Sequence, residues 1–130
     1  MPPTLTLSIL PETFAVCRLA KDAALPDWAN GANSGEFISI TRTRDELSII
    51  CPNANVPEGI QVETNWRCFK IAGPIDFALT GILAALVTPL AHAGISIFAM
   101  STYDTDYLMV RSESLERAIR VLKLAGHEVG

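Results

Sequence analysis

The chain has 130 residues, 49% of them hydrophobic, enough to bury a core in one compact unit or two small, mutually dependent ones without disulfide or metal staples. Its formal charge of −4 excludes the broad positive field used to hold nucleic acid, and no apolar run approaches the length of a membrane span. The cysteines Cys17, Cys51 and Cys68 are odd in number, far apart and outside any CxxC pair, so neither a disulfide framework nor a zinc site is expected; with no basic leading segment, the expectation is a cytoplasmic protein with reduced thiols.

Residues 5 to 19 hold two apolar runs, LTLSIL and TFAVCRL, which Pro11 divides into two strand pieces. The following KDAALPDWANGANSG is turn-rich and leaves room for about one turn of helix near Trp28. EFISITRT and ELSIICP alternate as a hairpin turning at Arg44 and Asp45. Residues 53 to 65 are again turn-rich, and a strand from Trp66 to Ala72 leads through Gly73 and Pro74 into the next segment. Arg42, Arg44, Arg67 and Lys70 read as a solvated face in preference to a phosphate site.

From Gly81 the apolar positions Ile82, Leu83, Leu86, Val87, Leu90 and Ala93 mark a helix with one buried face, stopped by Gly94. Pro89 removes a backbone donor inside it, and a kink is expected there. Ile95 to Tyr103 and Asp106 to Arg111 form a second hairpin, with its turn placed at Asp104 and Thr105. A final helix spans about Glu113 to Ala125, with Ser112 as N-cap, Leu115, Ala118, Ile119 and Leu122 on one face and Gly126 beyond its end. Val129 is placed in a short last strand.

Phe37 to Cys51 laid over Ile97 to Arg111, a shift of sixty, matches hairpin to hairpin and Glu46 to Asp106. The chain therefore reads as one unit written twice, residues 1–62 being a degenerate copy and residues 63–130 the intact one. The intact order of strand, helix, two strands and helix, with a last short strand, is the α+β, ferredoxin-like βαββαβ pattern of an antiparallel sheet with helices on one face. Period-two counting puts Ile95, Ile97, Ala99, Leu108 and Val110 on the helix side. The opposite face, Phe98, Met100, Thr102, Tyr107 and Met109, is apolar enough to call for a partner, a second copy or another protein.

Thr80-Gly81-Ile82-Leu83, Ala93-Gly94-Ile95-Ser96-Ile97 and Ser101 to Tyr107 together resemble the ACT domains, small ferredoxin-like modules that bind amino acids and regulate metabolic proteins. Thr80 stands where the family's loop commonly has proline. The last run is similar to that of small bacterial tandem-ACT proteins and to segments of the cytosolic arginine sensors of animals. The resemblance covers nearly the whole chain, and it implies a regulatory protein that binds a small amino acid at the junction of its two units, with neither nucleic acid nor membrane as partner.

An amino acid offers a carboxylate and an ammonium, and each needs a partner in a shielded site. For the carboxylate, the helix start at Thr80, Gly81, Ile82 and Leu83 provides backbone amides and the positive end of a dipole; a plain tight turn explains the glycine equally well. For the ammonium, Asp104 and Asp106 are the candidates, flanked by Ser101 and Thr102, against the ordinary reading of solvated turn carboxylates. Asp76 is assigned to the local helix start, His92 to the helix end, and His127 to the terminal turn. No nucleophile, base and orienting group fall together, so no enzyme, catalytic residue, metal or cofactor is expected. The alternative is an assembly module that keeps the ACT fold without a ligand.

Overall fold

Pro11 separates two strands that serve different units. The computed structural model describes residues 4–29, 37–72 and 81–130. Within it β1 (Thr6–Ile9) belongs to a unit made of Met1–Leu10 and Arg67–Gly130, whereas β2 (Phe14–Leu19) belongs to a unit made of Pro11–Trp66. β1 packs with the second half of the chain, beside β5 and β8.

In the Pro11–Trp66 unit the described residues after β2 form a 3-10 turn at Asp27–Ala29, β3 (Ser39–Arg42), β4 (Leu47–Pro52), a 3-10 turn at Asn53–Asn55, and the first residues of β5 (Gln61–Ile71). The strand order β3-β4-β2-β5, antiparallel throughout, is the ferredoxin-like order, here with no α-helix among the described residues. Small side chains make this possible. Ala15, Cys17, Ala29 and Cys51 are fully buried beside Leu47 and Ile49, so Trp28 and Val56 reach the sheet from loops and take the place of a helix layer. Arg42 secures the long loop by donating from Nη1 to the Lys21 carbonyl (2.6 Å) and from Nη2 to that of Ala23 (2.8 Å), which occupies it structurally.

Cys17 and Cys51 share a hydrogen bond in this core; the bond and burial push the Cys17 thiol up, while the bond holds Cys51 below its ordinary range. The strand at residues 61–65, expected as loop, is polar and exposed along its length, so it carries no hydrophobic alternation to read. A bulge near Asn65 breaks its register with β2. Asn65 adopts φ 66°, and Asn53 holds it through a side-chain bond of 3.0 Å.

The other unit comprises β1, the rest of β5, α1 (Ile82–His92), β6 (Ile97–Ser101), β7 (Asp106–Arg111), α2 (Leu115–Leu124) and β8 (Glu128–Val129). Its strand order is β6-β7-β5-β1-β8, with β1 antiparallel to β5 and parallel to β8. The amino-terminal strand therefore takes the place beside β5 that the last strand of a ferredoxin-like unit holds. Leu7, Phe69, Ile71, Leu108 and Val110 from the strands, Leu86 and Leu90 from α1, and Leu115, Ala118 and Leu122 from α2 form the core. Each buried leucine there contributes about 1.5–3 kcal/mol. On the opposite face Met109 is fully buried and Phe98, Met100 and Tyr107 are half-buried, so less of it is open than alternation alone implies. Ser112 is not an N-cap: it opens a 3-10 turn, Ser112–Ser114, that precedes α2. Among the described residues no helix is long and apolar enough to cross a membrane.

Both helices end in the same way. Gly94 at φ 73° lets its own N–H reach the Ala91 carbonyl and the Ile95 N–H reach that of Leu90. Gly126 at φ 99° does the same for Lys123, while the His127 N–H reaches Leu122. The second of these turns points a buried imidazole inward. Pro89 lacks the N–H that would bond the Ala85 carbonyl, and His127 Nε2 lies 3.0 Å from that oxygen. Because the Leu5 N–H donates to Nδ1 (3.1 Å), the neutral ring carries its proton on Nε2 and donates to Ala85.

His127→Ala is expected to cost about 1–3 kcal/mol by stranding the Ala85 carbonyl and the Leu5 amide. Pro89→Ala restores the missing donor, and in that background the cost of His127→Ala should fall by about 1 kcal/mol, read from a double-mutant cycle of urea denaturation.

Candidate functional site

The hairpin β6–β7 turns on two residues, Tyr103 and Asp104. The Thr102 N–H donates to the Thr105 carbonyl (2.8 Å), and Thr102 Oγ1 accepts the Thr105 N–H (3.3 Å). The expected turn at Asp104 and Thr105 is thus displaced by one residue. Its faces survive, because the cross-strand register moves by two: Ile97 pairs with Val110 and Ala99 with Leu108. Asn65 is the one non-glycine residue with positive φ among those described, so the loop is not of the mirror-image kind favoured in hairpins. The threonine hydroxyl supplies the support instead.

The same brace occurs in the hairpin β3–β4. The Thr43 N–H donates to the Glu46 carbonyl (2.9 Å), and Thr43 Oγ1 accepts from the amides of Asp45 (3.1 Å) and Glu46 (3.2 Å). Superposing the two braces sets the repeat at a shift of 59, not sixty, and the same shift carries Leu47–Pro52 onto Asp106–Arg111 and Asn53–Asn55 onto Ser112–Ser114. Asp45 then corresponds to Asp104. Ser101 and Asp106 correspond to Arg42 and Leu47, so the pairing of Glu46 with Asp106 gives way.

Thr105 joins this turn to the end of β5. It is 5% exposed, and its Oγ1 donates to the Ile71 carbonyl (2.8 Å). From that end of β5 the chain enters α1, and the short link after His92 leads into β6, which runs back to the turn. The start of α1 and the turn therefore lie at one end of the sheet. Ser101 Oγ donates to Asp106 Oδ1 (2.5 Å), a charge-assisted pair between directly opposed residues on the helix-bearing face. Ala99 and Ser101 on that face are exposed, so this end stays open to solvent.

At the start of α1, Gly81 adopts φ 78° and no side chain among the described residues caps the helix. The amides of Ile82, Leu83 and Ala84 have no partner within the helix and carry the positive end of its dipole. Ile82 is buried and Leu83 packs against the core, so their contribution to a ligand is through the backbone. Asp104 is exposed at the tip, Asp106 half-buried, and the Thr102 hydroxyl is occupied by the turn. Thr80 and Asp76 lie outside the described residues. Sequence reading passed over Thr105, because a threonine in a turn gives no sign that it will be buried against a strand end. His92 is exposed at the helix end. Among the described residues no group of three or more histidine, cysteine or acidic side chains is arranged to hold a metal.

A family model described as an ACT domain matches residues 61–123, and a second model, of an N-terminal domain, matches residues 12–59. The cytosolic arginine sensor for mTORC1 subunit 1 of Bos taurus is 28% identical over an alignment of 98 residues, with 67% of this chain and 30% of the sensor covered. The human sensor is 37% identical over 59 residues, covering 45% of this chain and 18% of its own length. This chain thus spans less than a third of those relatives. Among solved structures, protein Atu0741 from Agrobacterium tumefaciens is 44% identical with a TM-score of 0.91, covering 98% of this chain and 93% of that one. The regulatory subunit of aspartate kinase from Thermus thermophilus shares the fold at a TM-score of 0.66 and 10% identity, covering 97% of this chain and 99% of that subunit.

Thr105→Val should cost about 1–3 kcal/mol in urea denaturation by stranding the buried Ile71 carbonyl, while Thr105→Ser, which keeps the hydroxyl, should cost less.

Proposed function

This chain belongs to the ACT-domain family, and we propose that it is a non-catalytic regulatory protein of the cytoplasm that binds a small amino acid and alters its contacts with a protein partner, a second copy or another chain. What supports this reading is the start of α1, with Gly81 at φ 78°, together with the Ser101–Asp106 pair in the hairpin that follows the helix. The ligand's carboxylate takes the amides of Ile82, Leu83 and Ala84, with Gly81 allowing close approach. Its ammonium takes Asp106, and Asp104 adds negative charge from the tip. Thr102 acts by bracing the turn. Regulatory relatives support the reading: one is named as an arginine sensor and another as the regulatory subunit of a kinase.

The site belongs to the second copy of the repeat. In the first copy Arg42 and Leu47 stand where Ser101 and Asp106 stand in the second, and the described residues between the first and second strands hold a 3-10 turn and no α-helix. The unequal halves of the sequence thus become one competent site and one support.

A thermal-shift screen of the twenty amino acids tests this. A ligand at about a hundred times its dissociation constant adds roughly 2.7 kcal/mol of stability. Asp106→Asn should abolish the shift, Asp104→Asn should reduce it, and Asp45→Asn, at the corresponding turn position of the first copy, should leave it intact. No shift with any amino acid at about 10 mM would favour a ligand-free assembly module.

A further inference from the structure

His127 is buried, 5% exposed, with the Leu5 N–H donating to its Nδ1 (3.1 Å) and its Nε2 lying 3.0 Å from the Ala85 carbonyl. One ring nitrogen accepts and the other donates, an arrangement that only the neutral imidazole can make. A proton added at Nδ1 sets an N–H against the Leu5 N–H and places a full charge where water does not reach. The charged side chains on the surrounding elements do not offset this. β1 carries none, α1 carries His92, α2 carries Glu116, Arg117, Arg120 and Lys123, and β8 carries Glu128. All of these are exposed, and the Glu128 carboxylate accepts from the Thr6 hydroxyl (3.5 Å). The carboxyl end of α2 draws positive charge, but its last carbonyls already take the amides of Ala125, Gly126 and His127.

We propose that His127 is a proton-operated latch: the neutral ring fastens the amino-terminal segment and the first turn of α1 to the end of α2, and the protonated ring releases them. Imidazole is the side chain whose charge ordinarily changes near neutral pH, so a modest acidification suffices to work it. The latched chain holds the ring neutral and the released chain lets it take a proton, so the released state binds more protons and is favoured as the pH falls. Ala85 carries the effect into α1. Its N–H bonds the Gly81 carbonyl (2.9 Å) to close the first turn, while its own carbonyl rests on the ring. That turn also carries the amides of Ile82, Leu83 and Ala84, so release weakens a ligand held there, an effect that rests on the function proposed above; the latch itself needs no ligand.

The test uses the full chain without ligand, in urea denaturation between about pH 7.5 and 5.5. Wild type should lose stability as the pH falls, its unfolding constant rising up to about tenfold more per pH unit than that of His127→Asn, whose amide oxygen accepts the Leu5 N–H without titrating. His92→Gln should keep the wild-type slope. Amide exchange of the wild type over the same range, expressed as protection factors, locates the change without any variant: Leu5 and Ala85 should lose protection on acidification while the amides of β2 and β4 keep theirs. Equal slopes in wild type and His127→Asn, a slope lost in His92→Gln, or unchanged protection at Leu5 and Ala85 overturns the proposal, and none of these results bears on whether the α1 site takes a ligand.

Discussion

A proline inside a helix needs a donor from elsewhere, and here one imidazole provides it. His127 fills the hydrogen bond that Pro89 denies to Ala85, and its other nitrogen takes the Leu5 amide. The ring thereby fastens three separate parts of the chain at one point: the amino-terminal strand, the middle of α1 and the turn after α2. Gly126 makes this possible, since its left-handed backbone closes α2 and turns the next residue into the core. With its centre pinned and Leu86 and Leu90 buried, α1 presents its uncapped start at the end of the sheet where Thr105 anchors the hairpin.

The two hairpins show which parts of a repeat are structural and which are functional. Both keep a threonine whose amide and hydroxyl close a two-residue loop, and both keep an aspartate at the second loop position. That chemistry holds a turn. The next pair outward is where the copies part: Arg42 turns aside to hold a loop by its carbonyls, whereas Ser101 gives its hydroxyl to the carboxylate of Asp106. The helix layer is likewise present in one copy, whereas among the described residues of the other Trp28 and Val56 pack over a sheet face of small side chains. The copies differ at this pair and in the layer over the sheet, and agree in the brace that holds the strands.

Elements with a hydrophobic period were legible in the sequence. Both helices, both hairpins and the helix-facing residues Ile97, Leu108 and Val110 stand where alternation put them. The early part of β5 was hidden because its side chains are all in solvent, and a strand with two polar faces leaves no pattern. Pairing of β1 with the distant β5 and β8 was also hidden, because alternation reveals a strand without revealing its neighbour. The turn was misplaced by one residue because aligning acid to acid, Glu46 with Asp106, outweighed the threonine brace that governs the loop. Of the candidate site, Gly81, Ser101 and Asp106 could be read directly. His127 and Thr105 could not, since each acts on a carbonyl far away in the chain.

We propose that the start of α1 and the β6–β7 hairpin act together on one ligand. Residue-resolved amide hydrogen exchange, with and without an amino acid that raises the melting temperature, tests it most directly. Slowed exchange is expected at Ile82, Leu83 and Ala84 and, in the same titration, at Ser101 to Asp106. Slowed exchange at only one of these segments, or at neither while the ligand is bound, would contradict it.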